Sequence, residues 1–134
     1  MRDDEATLSQ LKEAVRALCL DKGWGEDGEQ NPQHVAMAMT VEMSELLENF
    51  QWLEPEGVRA LWEGKDPARR ERVAGEFADV MMYGLQLAYS LDIDIAAEVE
   101  KKIAAVRGRS DTYYEDKRRM RERFELDQRR KASE

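Results

Sequence analysis

Leu8, Leu11, Val15 and Leu18 recur at intervals of three and four, the spacing of one helical face, and predict an amphipathic helix over residues 5–22. Gly23, Gly25, Gly28 and Asn31 interrupt the pattern, and Pro32 then stands where a first helical turn tolerates a residue without an amide hydrogen. A second helix is predicted from Pro32 to Leu53, with Val35, Met39, Met43, Leu46, Phe50 and Leu53 on one arc, and Pro55 ends it. Residues 54–67 read as a polar connection with a short helical turn around Val58 to Trp62. Asp66-Pro67 opens a third helix that runs to Leu91, with Val73, Phe77, Val80, Gly84, Leu87 and Leu91 as its buried stripe. After a break at 91–94, a fourth helix runs from Ile95 to Val106, followed by Gly108, Ser110 and a polar terminal helix or disordered tail. No strand-like alternation bounded by turn residues occurs, so the expected fold is all-α. It comprises a bundle of four core helices in a body of residues 1–110, and a charged extension over 111–134.

Composition narrows the chemistry available to such a bundle. The 134 residues suit one domain and include a single cysteine and a single histidine. Cys19 alone, in an apolar helical register, makes neither a disulfide framework nor a thiolate zinc site. His34 alone excludes His-rich zinc sites and a di-iron bundle built on two Glu-x-x-His motifs, and no nucleophile-elbow glycine pattern accompanies it. His34 reads as a surface residue, and the methionines at 37, 39, 43, 81 and 82 as core filler. Apolar runs stay well short of the roughly 20 residues a membrane span requires, and no signal-peptide design opens the chain. A soluble, cytoplasmic protein is expected. Acids outnumber bases 29 to 21, for a net charge of -8, but the excess lies before residue 100 and the sequence beyond it is basic. A basic tail suggests nucleic acid. The mixed signs from Lys117 to Glu125 favour a solvated helix instead.

The carboxylates are less evenly placed than a solvated surface requires. At about 100° per residue, Glu42 falls inside the apolar arc of the second helix and Glu45 on its border. On the third helix Glu76 stands beside the buried stripe and Asp79 at its edge. Each helix thus brings an i, i+3 acid pair to the rim of a buried face, where like charges oppose one another. A base at i+4 would relieve them, but Leu46, Asn49, Val80 and Tyr83 stand there. Between Gln33 and Val58 there is no Lys or Arg, and only Arg72, four residues before Glu76, lies near the quartet on its own helix. A hard divalent cation such as Mg2+ is the natural neutraliser, since it takes carboxylate oxygens and leaves positions for water and phosphate.

The run Glu42-Met-Ser-Glu45-Leu-Leu-Glu48, followed by Phe50-Gln51-Trp52 and later by Glu76-Phe-Ala-Asp79-Val-Met-Met-Tyr83, resembles the MazG-like all-α NTP pyrophosphatases, closest to the dCTP pyrophosphatase branch. The similarity covers roughly residues 5–110. It implies that Glu42, Glu45, Glu76 and Asp79 hold Mg2+, with Mn2+ as a substitute. It also implies cleavage of a nucleoside triphosphate to monophosphate and pyrophosphate, as nucleotide-pool housecleaning, in a homodimer or homotetramer with sites at subunit interfaces. By position, Tyr83 matches a tyrosine on the nucleotide, Trp52 and Trp24 match aromatics near the base, and Lys102 with Arg109 resembles the segment that reaches phosphates. Val41 and Val106 depart from the stricter pattern, which has glutamate and asparagine there, and the nucleobase stays open.

Metal-assisted hydrolysis of this kind needs no cysteine, serine or histidine nucleophile, only a group to take the proton from water. Glu45 is the first candidate for that base and Glu48 the second. The competing expectation is a noncatalytic helical interaction module whose basic tail binds nucleic acid or an acidic partner. It has no need of the unneutralised acid quartet.

Overall fold

Residues whose side chains satisfy free helix amides stand at the starts of three helices. The hydroxyl of Thr7 accepts from the Gln10 amide at 3.2 Å, and the Gln10 side chain accepts from the Thr7 amide at 2.8 Å. This reciprocal box starts the first helix at Leu8, three residues later than periodicity suggests. Asn31 caps the second helix through the Gln33 amide ahead of Pro32, and Asp66 caps the helix opened by Pro67 through the Arg69 amide. The computed structural model describes residues 1–109 and 111–132, so Ser110 and positions 133–134 of the extension lie outside the described residues. Among these the chain forms six helices and no strand: α1 (Leu8–Lys22), α2 (Pro32–Glu48), α3 (Pro55–Trp62), α4 (Pro67–Ser90), α5 (Ile95–Arg107) and α6 (Asp111–Ala132). The fold is all-α, as expected. No helix among the described residues is long and apolar enough to cross a membrane.

α2 ends at Glu48, short of the expected Leu53. The Asn49 amide group donates back to the Glu45 carbonyl at 3.2 Å, and tight turns from Leu47 to Leu53 follow. An asparagine side chain that competes for backbone carbonyls favours such an ending, and Pro55 biases Glu54 away from helix. Arg69 then reaches from α4 to donate to the Asn49 carbonyl at 2.8 Å while its Nε is bonded to Asp66 at 3.1 Å. The end of α2 is thereby fastened to the start of α4.

Residues Met1–Ile95 form one compact unit, organised on α4, with α2 as its main neighbour and α1 and α3 also against it. Val15, Cys19 and Leu85 form a buried cluster with Leu11, Met82, Tyr89 and Ile95 around it, and Val35, Val80 and Ala88 are also buried. Cys19 is a free thiol within this core. The expected stripe of α4 is corrected here. Leu85 is buried because α1 packs on α4, whereas Phe77 and Leu91 are 55% and 52% exposed. Met37 at 62%, Met43 at 47% and Met81 at 39% exposure likewise are not core filler within this unit.

The segment before α2 is bound to α4. Gly25 has φ 77, and a Cβ there would stand 2.1 Å from the Glu29 carbonyl oxygen, so no side chain fits. The Tyr89 hydroxyl donates to the Gly28 carbonyl at 2.7 Å, and Gln30 donates to buried Gln86 at 3.2 Å. The second unit begins at Ala96. In it α6 realises the helical alternative for the terminal segment, the Tyr114 hydroxyl donates to the Val106 carbonyl, and both Arg109 and Lys117 sit over the Tyr113 ring.

Tyr89→Phe should cost about 1 kcal/mol of unfolding free energy in urea, because it leaves the Gly28 carbonyl unpaired. Gly75→Ala, with no atom within 4 Å of the added Cβ, should gain about 0.5–1 kcal/mol from helix propensity in the same measurement.

Candidate metal centre

Spacing of three along a helix places side chains on one side, and α2 packed on α4 brings two such sides together. Carboxylate oxygens of Glu42 and Glu45 from α2 and Glu76 from α4 lie within 4.8 Å of one another. Glu42 and Glu76 are half-buried and Glu45 is exposed. Among the described residues none of the three takes part in an ion pair, whereas Arg2 pairs with Asp4, Lys65 with Glu63, Arg69 with Asp66 and Lys101 with Glu98. Burial, and then the charges of Glu45, Asp79 and Glu76, raise the Glu42 carboxyl above the ordinary glutamate value. Asp79 thus acts on Glu42 through its charge, although it is exposed and its oxygens stand outside the three-residue group.

An all-oxygen donor set, part-buried, mutually repelling and without a cationic partner, fits a hard divalent cation. Glu48, one turn beyond Glu45, is exposed. With Glu45, Asn49, Arg69, Arg72 and Glu76 it lines a cleft of about 420 Å³. Tyr83 is half-buried on α4, one turn past Asp79. Trp24 follows the Gly23 cap of α1 at 46% exposure, and Trp52 lies in the turn after α2 at 85%, so the described residues enclose neither ring. Lys102 and Arg109 are exposed residues of the second unit. Arg69 and Arg72 are the residues that sequence reasoning did not assign to the site. Arg72 had a signal in its place four residues before Glu76, and Arg69 had one in the i, i+3 pairing with the cap Asp66.

Fold and site together define an all-α protein whose carboxylates meet between two packed helices. The MazG-like family matches residues 37–118, more than half of the chain, and the chain belongs to that family. The matched span holds Glu42, Glu45, Glu48, Glu76, Asp79, Tyr83, Lys102 and Arg109, while α1 and Trp24 precede it. Members are typically nucleotide pyrophosphatases and generally metal-dependent. No curated protein matches the chain.

A raised carboxyl pKa means that the folded state holds the Glu42 proton more tightly than the unfolded chain. Its destabilising effect is complete above the folded value and is relieved as pH falls through that value toward the ordinary 4.5. In EDTA, Glu42→Gln should therefore raise the melting temperature at neutral pH by about 1–2 °C and remove this pH dependence. Millimolar Mg2+ or Mn2+ should raise the melting temperature of the wild type and leave that of Glu42→Gln nearly unmoved, as read by differential scanning fluorimetry.

Proposed function

We propose that this protein is a Mg2+-dependent nucleoside triphosphate pyrophosphohydrolase, of the dCTP pyrophosphatase branch, that yields a nucleoside monophosphate and pyrophosphate in nucleotide-pool housecleaning. The observation that carries the reading is the group of Glu42, Glu45 and Glu76 oxygens within 4.8 Å of one another with no cationic side chain paired to them among the described residues. These three and Asp79 would hold the cation, and Mn2+ can stand in for it. When bound, Mg2+ supplies charge neutralisation at the phosphate oxygens and a lowered pKa for the attacking water.

The chain's own residues account for the remaining tasks. The phosphoanhydride bond between the α and β phosphates breaks, a water oxygen replaces the bridging one on phosphorus, and the water's proton passes to Glu45. Glu45 is suited to this by its exposure at the edge of the group, where it meets solvent without losing its neighbours. Glu48 is the second candidate, since it shares the cleft but stands outside the three-residue group. Tyr83, Trp24 and Trp52 serve the nucleoside end, and Lys102 and Arg109 reach phosphates. A homodimer or homotetramer would cover what the single chain leaves bare. Val41, Leu47 and Phe77 are 54–55% exposed and Trp52 is 85% exposed, more apolar surface than a working base pocket leaves to water. The reading places the enzymatic body at 1–110 with a charged helical extension over 111–134, in the cytoplasm. Nucleic acid is not the partner this reading implies, since the mixed charges from Lys117 to Glu125 suit a solvated helix.

Incubating the protein with each canonical dNTP and NTP in Mg2+ should release monophosphate and pyrophosphate in equal amounts. Glu76→Gln should lower kcat by about 100-fold or more while keeping the helical circular dichroism spectrum. Release of single orthophosphate would overturn the α-β cleavage. An oligonucleotide shift lost on removing residues 111–134, with no turnover of any nucleotide, would favour the interaction module instead.

A further inference from the structure

The cleft beside the carboxylates has a lining unlike that of a nucleoside pocket. Its volume, about 420 Å³, falls in the range of small-molecule sites, yet Glu45, Glu48, Asn49, Arg69, Arg72 and Glu76 line it, with no aromatic or aliphatic side chain among them. Two of the clustered acids, Glu45 and Glu76, form part of its wall, so the cleft opens directly onto the candidate metal centre. A base or sugar would gain nothing from such walls. A polyanion sharing a cation with the acids would.

The two arginines differ in what holds them. The Arg69 guanidinium is committed through Nε to Asp66 and through Nη1 to the Asn49 carbonyl. Arg72, three residues along α4 and so on the same side, makes no ion pair among the described residues, its charge acting on Asp66 only from a distance, although Glu45, Glu48 and Glu76 share the cleft with it. The acid best placed to pair with it along the helix, Glu76 at i+4, has its carboxylate gathered with those of Glu42 and Glu45 instead. A planar guanidinium that no carboxylate holds in an ion pair, next to an oxygen-rich candidate cation site, matches two oxygens of one phosphoryl group.

Resting on the pyrophosphohydrolase reading, we propose that Arg72 contacts the terminal phosphates of the substrate, and then the pyrophosphate product, in this cleft, while Arg69 holds the wall behind it. The nucleoside consequently leaves the carboxylate group away from the Arg72 side. Arg72 is a binding residue on the leaving group. It lies on the surface of α4, so its replacement removes no core contact.

Isothermal titration of inorganic pyrophosphate into the full chain in Mg2+ tests this, with Mn2+ affinity measured separately by electron paramagnetic resonance. Arg72→Ala should weaken pyrophosphate binding at least about tenfold and raise KM for the triphosphate in parallel, while Mn2+ affinity and the melting temperature hold. Arg72→Lys should recover part of the loss. Unchanged pyrophosphate affinity in Arg72→Ala would overturn the proposal, as would a wild type that does not bind pyrophosphate. Weakened Mn2+ binding in Arg72→Ala would also overturn it, since Arg72 would then position the acids and not touch phosphate. The two readings fail separately. A wild type that turns over nucleotides while Arg72→Ala binds pyrophosphate normally sinks only the subsite. A wild type that binds pyrophosphate through Arg72 yet cleaves no nucleotide sinks only the hydrolase.

Discussion

Three carboxylates held within 4.8 Å of one another by the packing of α2 on α4 are the constraint around which this unit is arranged. In water such side chains would move apart, because their mutual repulsion is not offset by any hydrogen bond between them. Two features prevent that. The helix pair carries buried apolar side chains, Val35 on α2 and Val80 on α4, and α4 approaches α2 closely enough at Gly84 that an added Cβ would touch Met39 at 3.8 Å. Glu42 and Glu76 emerge from the part-buried flank of these helices, so their carboxylates have limited room to retreat. The cost appears in Glu42, whose proton affinity is raised by burial and by three neighbouring charges. A cost of this kind, with no ion pair to these acids among the described residues, fits a donor set that could hold a cation.

The surroundings keep this arrangement from relaxing. α1 and the glycine-rich segment after it are fixed to α4 on the side of Leu85 and Tyr89, through the core around Cys19 and through the bonds of Tyr89 and Gln86. At the other end, Arg69 joins the cap of α4 to the last carbonyls of α2. α4 therefore has its N-terminal turn and its C-terminal half tied to different parts of the unit, and the acids stand between the two attachments. Preorganisation of this kind lowers the reorganisation needed when charge arrives.

Much of this was legible in the residue pattern, and the reasons for the misses are local. Periodicity located the helices, because each carries an apolar face, but it does not report where competing side-chain bonds take over. Thr7 with Gln10 set the start of α1, and Asn49 set the end of α2, through single contacts that leave the three-four repeat untouched. The apolar stripes were read as facing one core. Phe77, Leu91 and Met43 show that an apolar position on a helix names no partner, and Leu85 shows that α4 also turns a side chain to α1. The acids fared better, since i, i+3 spacing and the absence of bases between Gln33 and Val58 are properties of the chain itself. That Asp79 stays outside the oxygen group, and that Arg72 leaves Glu76 unpaired, depend on how two helices meet, which no single-helix wheel contains.

The Arg69 clasp has a consequence for how such a protein can change over evolutionary time. By joining Asn49 to Asp66, it makes the chain between them, with α3 and Trp52, an excursion that departs from and returns to one fixed point. Its length and composition can drift without altering the separation of Glu45 from Glu76. Trp52 stands on the excursion and the clustered carboxylates on the frame, so substitutions in the one can accumulate without moving the other.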